Sequence, residues 1–99
     1  GVDVPSFADT ETTFAELQER IQKTLAFIQT LTPAQIDGSE DRDVSLTAGK
    51  RELNFKGQAY LLNFALPNMH FHTSMTYAIL RHNGLDLGKM DYLGNPMAA

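Results

Sequence analysis

Residues 57–83 read GQAYLLNFALPNMHFHTSMTYAILRHN. Their pattern predicts one long helix from Gly57 to Asn83, with Gly84 as the left-handed stop that ends it. The apolar residues do not keep to one stripe. Tyr60, Leu61, Leu62, Phe64, Leu66, Met69, Phe71, Met75, Tyr77, Ile79 and Leu80 go most of the way round. A helix that is apolar on every side belongs inside a bundle or at an interface. Pro67 interrupts the pattern. It cannot bond the carbonyl of Asn63 and collides with it, so either a kink or two shorter helices meeting at Leu66-Pro67 is expected. The stretch also holds all three histidines, His70, His72 and His82.

Upstream, Thr13 precedes Glu16 by three residues, the spacing of a capping box. Phe14, Leu17, Ile21, Leu25, Ile28 and Leu31 then recur at helical steps. This predicts a first helix over about 14–30 with one apolar stripe. Residues 1–12 have no period and read as an extended leader. Thr32-Pro33 starts a single turn that Gly38 ends, and Ser39 to Asp43 reads as an acidic, solvated connection. The period then changes. Val44 and Leu46, and later Leu53 and Phe55, alternate with polar residues around Thr47-Ala48-Gly49-Lys50. That predicts a β-hairpin over about 43–56. The tail, 85–99, reads as an extended arm with Leu87, Met90, Tyr92 and Leu93 free to pack back.

Ninety-nine residues make at most one domain. The chain is 42% hydrophobic and 20% charged, an ordinary globular balance, and its net charge is −4. Mild acidity without a lysine or arginine run disfavours nucleic acid as a partner. No cysteine is present, which removes disulfides, thiolate nucleophiles and zinc–thiolate sites. No stretch reads as a membrane span or a secretory signal, so a cytoplasmic protein is expected. The chain begins Gly1-Val2-Asp3-Val4-Pro5, without an initiator methionine, as a fragment or processed product would.

One striped helix and one hairpin cannot cover the 57–83 helix. The fold class expected is therefore mainly α: half of a four-helix bundle, two long helices with a β-hairpin between them. Dimerisation or a missing N-terminal half would complete it. A homodimer is the expected assembly, ahead of a compact monomer whose hairpin and tail cover the surplus.

Several stretches resemble a known bacterial family. They are Phe55-Lys56-Gly57-Gln58-Ala59-Tyr60-Leu61-Leu62, Tyr77-Ala78-Ile79-Leu80-Arg81-His82-Asn83-Gly84 and Gly88-Lys89-Met90-Asp91-Tyr92-Leu93-Gly94. The leader Val4-Pro5-Ser6-Phe7 and the helix start Thr13-Phe14-Ala15-Glu16-Leu17 resemble it too. The family is domain of unknown function nineteen-ninety-three, grouped with the DinB/YfiT-like metalloenzymes. The resemblance covers essentially the whole chain and implies the C-terminal half of a DinB-like four-helix bundle, because family members carry two further helices before the leader. It also implies a divalent transition metal held by three histidines, two of them one turn apart on the last helix. His72 falls on the second of that pair, Asn68 stands at the first, and the third would lie on a helix outside this chain. A neutral asparagine replaces imidazole poorly at such an ion.

Histidines two apart point about 200° from each other on a helix, so His70 and His72 cannot share an ion. The plainer reading of His72 is a hydrogen-bonded core or interface histidine. Asn63 and Asn68, beside the Pro67 disturbance, could line a polar pocket or merely satisfy the broken hydrogen-bond ladder. Arg81 and His82 suit the negative end of the helix, and Tyr60, Tyr77 and Met75 read as core. No catalytic constellation is legible. The function expected is a non-catalytic DinB-like module for a small ligand or a protein partner, with Asn63, Asn68 and His72 as candidate binding residues and a degraded metal site. The alternative is a metal-dependent transferase or hydrolase using His72.

Overall fold

A computed structural model describes residues 2–98. The chain divides between Asp37 and Gly38 into two units.

The first unit is built on α1, Phe14–Gln29. Thr13 is extended, and its Oγ1 accepts the Glu16 amide at 3.2 Å. The Glu16 carboxylate in turn accepts the amides of Thr12 at 2.6 Å and Thr13 at 3.0 Å. These bonds, Thr12 first, hold the Glu16 carboxyl below the usual glutamate range. The leader is tied down as well. Arg20 donates to Asp9 at 2.7 Å and to Glu11 at 3.0 Å, and its guanidinium lies 5.4 Å from the Phe7 ring centre. Spacing alone did not reveal this clamp, because its members are nine to thirteen residues apart in a stretch without a period. A one-turn helix, α2, follows at Pro33–Ile36, where the Thr32 amide donates to Gln35 Oε1 at 2.7 Å. The α1 stripe is left open: Leu17, Ile21, Leu25 and Ile28 are 45–55% exposed.

The second unit opens with a hairpin of β1, Asp43–Ala48, and β2, Arg51–Lys56. Its register pairs Val44 with Phe55 and Leu46 with Leu53, so all four half-buried side chains share one face. Gly49 has φ +63 in the two-residue turn and no non-glycine residue has positive φ among those described, the pattern of a type II′ turn. Across the open end and the polar face, Lys56 pairs with Asp43 and Ser45 bonds Asn54.

β2 runs straight into a helical segment of three parts: α3 at Gly57–Tyr60, a π turn at Leu61–Ala65, and α4 at Leu66–His82. Pro67 is therefore accommodated by a wider turn just before it, and not by two separate helices meeting at Leu66-Pro67. A π turn adds one residue to the hydrogen-bonded ring, so the Asn63 carbonyl can stand clear of the proline ring. Phe55, Tyr60 and Phe64 pack together with ring centres 5.6–5.9 Å apart and fasten the hairpin to the helix.

The Ser39–Arg42 bend is more than a solvated connection. Its Arg42 carbonyl accepts the Gly57 amide at 2.8 Å, and its Glu40 carbonyl accepts the Gln58 amide at 2.9 Å. Orphan amides at the start of α3 are thus satisfied by backbone. At the far end Gly84 has φ +98, its amide donates to Arg81, and the Leu85 amide donates to Leu80. That is a Schellman stop.

The tail corrects the expectation of an extended arm over 85–99. Residues Lys89–Leu93 form a short helix, α5. The Asp91 carboxylate accepts the Gly88 amide at 2.7 Å, and this local bond starts the turn. Among the described residues none is buried, and no helix is long and apolar enough to cross a membrane.

Candidate functional site

α4 and α5 meet beside a groove of about 410 Å³. From α4 come His72, Thr73, Thr76, Tyr77 and Leu80; Leu87, Asp91 and Tyr92 close the other side. The α4 members follow from helical geometry, because 72, 73, 76, 77 and 80 span a single sector of the helix. Thr73 and Thr76 donate their hydroxyl protons to the carbonyls of Met69 at 2.9 Å and His72 at 2.8 Å. Their oxygens keep lone pairs for a ligand. Tyr77 and Tyr92 meet edge to face, with ring centres 6.2 Å apart. Arg81 donates to the Tyr77 hydroxyl at 2.8 Å. The lining contains a carboxylate, an imidazole, two hydroxyls, two phenols and two leucines, and no lysine or arginine.

Of the candidate binding residues, only His72 lines this groove. Its ring packs edge to face on Phe71 at 5.3 Å. Asn68 lies one turn before His72 in the first turn of α4, exposed. Asn63 lies in the π turn, also exposed, and does not reach the groove. Neither asparagine has a side-chain hydrogen bond among the described residues. His70 faces away from His72 and sits 3.4 Å from the Tyr92 hydroxyl, which Ser74 also approaches at 3.4 Å. His70 is thus part of the link between α4 and α5.

The residues present do not fit the metal site implied by the resemblance. Among the described residues no three His, Cys, Asp or Glu side chains gather around a point that could hold an ion. The position one turn before His72 offers an amide where a second imidazole is needed.

Asp91, Thr73 and Thr76 were missed by sequence reasoning, which offered Leu87 and Tyr92 only as residues that pack back. One signal existed. Gly88-Lys89-Met90-Asp91 has an acid at the third helical position, which marks a helix start even when the helix is short.

The hairpin, the histidine-bearing helix and the groove beside its last turns define a mainly helical protein with one small antiparallel hairpin. Comparison with known proteins makes this specific. Residues 1–93 match the family model described as Domain of unknown function (DUF1993), and the chain belongs to that family. It is also similar to the crystal structure of a DinB family member protein from Shewanella denitrificans, with 36% identity and a TM-score of 0.76. The match takes in 96% of this chain and 53% of that one, so this chain spans about half the length of its solved relative. No curated protein matches the sequence.

Proposed function

We propose that this chain is a non-catalytic DinB-like module that binds a small molecule or a protein partner and works as a homodimer. Each copy contributes α1 and the 57–82 helical run to one four-helix bundle. One observation carries the reading: the side of α4 away from the groove is apolar and open. Phe71, Met75 and Ile79 recur every four residues along it and are 60%, 44% and 56% exposed. A second copy of the chain can cover that stripe. The similar protein from Shewanella denitrificans is matched over 53% of its length, so about half of that fold lies outside the matched stretch.

Light scattering coupled to size exclusion tests the assembly. A particle of twice 11.0 kDa is expected; a folded monomer at micromolar concentration would overturn it. If a separate N-terminal half completes the bundle instead, adding that half in trans converts the dimer to a one-to-one complex.

His72 supports the ligand side of the proposal, since it lines the groove with Asp91. An enzyme reading, a metal-dependent transferase or hydrolase using His72, needs two further ligands from outside this chain. Elemental analysis that finds a stoichiometric transition metal, lost in His72→Ala, favours that reading over the non-catalytic one.

A further inference from the structure

We infer that the groove between α4 and α5 takes a small organic cation, an amine with a short apolar body. This rests on the small-ligand reading above and names the ligand class. The groove holds acceptors with an oxygen or a lone pair to spare. Asp91 spends one oxygen on the Gly88 amide; its other oxygen has no partner among the described residues. Thr73 and Thr76 have already donated their protons to backbone carbonyls, so toward the groove they act as acceptors. No lysine or arginine lines the space to balance the carboxylate.

Ligand classes then separate. An anion would meet Asp91 with no cation to receive it. A neutral apolar molecule would be content against Leu80 and Leu87 but would strip water from a carboxylate without replacing it. An ammonium group solves both problems. It donates to Asp91 and the threonine oxygens, and charge-assisted bonds of this kind are the stronger ones. Its apolar body lies on the two leucines. Tyr77 and Tyr92 also line the groove, and an aromatic ring attracts a cation that comes within about 6 Å of its face. The net charge of −4 favours the approach of a cation from solution. Arg81 is not among the lining residues; it keeps its charge and is held on the Tyr77 hydroxyl at 2.8 Å.

The test is a nuclear magnetic resonance titration of the full chain with three probes of one shape: phenethylamine, 2-phenylethanol and 3-phenylpropionate. Saturable shifts are expected at Thr73, Thr76, Leu87 and Asp91, with the amine bound about tenfold more tightly than the alcohol, the scale of one charge-assisted hydrogen bond. Asp91→Asn keeps an acceptor for the Gly88 amide and removes the charge. It should bring the amine down to the affinity of the alcohol while leaving the alcohol unchanged. If that variant does not fold, Tyr92→Leu and added salt each still have to weaken the amine selectively. Equal binding of all three probes, or preference for the anion, overturns the cation assignment and leaves the small-ligand reading standing. Binding of none, with the same amides shifting on dilution of the protein, shows that the groove is covered by a second copy and overturns both.

Discussion

The amide of Leu66 donates to the carbonyl of Leu61, five residues back. An α-helical bond would go to Leu62. The backbone stays helical on both sides, with φ/ψ of −57/−49 at Tyr60 and −65/−49 at Leu66. The wide turn therefore changes the phase of the helix without stopping it. Each extra residue rotates the N-terminal part of a helix by about 100° relative to the C-terminal part. The Phe55–Tyr60–Phe64 cluster and the groove on α4 are set relative to each other by that one insertion.

Pro67→Ala removes the reason for the insertion. The 61–65 segment should relax toward α-helical bonding, with amide shifts changing throughout Gln58 to Leu66. The variant should gain helix signal in circular dichroism. Changes restricted to the immediate neighbours of residue 67 would show that the π turn has another cause.

Gly57 has no room for a side chain. A Cβ there would run into the Ser39 carbonyl, a backbone group that cannot swing away. Gly57→Ala should destabilise by at least about 1 kcal/mol, the lower range for overpacking. Gly49→Ala meets no atom but takes a left-handed backbone, so it should cost about 1–2 kcal/mol for a different reason. Denaturant midpoints compare the two. Only Gly57→Ala should also loosen the amides of residues 57 and 58.

The Glu16 cap should be sensitive to acid. Its carboxyl is held low by the Thr12 and Thr13 amides. A depressed folded-state value means the cap's contribution is fully present above the ordinary glutamate pKa of about 4.3. It is lost as pH falls through the lowered folded value. Following the Thr12 and Thr13 amide resonances against pH should give a midpoint below that of a free glutamate. Removing the reciprocal bond with Thr13→Ala should cost about 1 kcal/mol. A midpoint at the ordinary value in the unmutated protein would contradict the capping box.

Charge on the open side of α4 tests the assembly without touching the groove. Ile79 is 56% exposed and does not line the groove. Ile79→Asp should raise the dimer dissociation constant by tenfold or more, because it places a carboxylate where the partner's apolar surface is proposed to sit. Ile79→Leu should leave it within a factor of about three. A dimer indifferent to Ile79→Asp would move the interface elsewhere on the chain.

Local chemistry was written in the chain and could be read from it. Thr13 with Glu16 marks the start of α1, alternation about Gly49 gives the hairpin, and Gly84 ends α4. Each is a short-range rule that any chain with those residues obeys. The surplus of apolar residues round the 57–83 helix was equally legible, and many of them are exposed in the structure.

Tertiary structure decided the rest. The bend at Ser39–Arg42 caps α3 only because the hairpin returns Gly57 beside it. Arg20 finds Asp9 and Glu11 only because the leader lies along α1. Of the candidate binding residues, His72 was singled out by the resemblance and Asn63 and Asn68 by their place beside Pro67, yet the groove takes in only His72. Its other side comes from Leu87, Asp91 and Tyr92, fifteen to twenty residues further on. No periodicity links those residues to α4. They come into place because Gly84 reverses the chain and Asp91 winds the tail into a helix, and a contact made by reversal leaves no trace in local spacing.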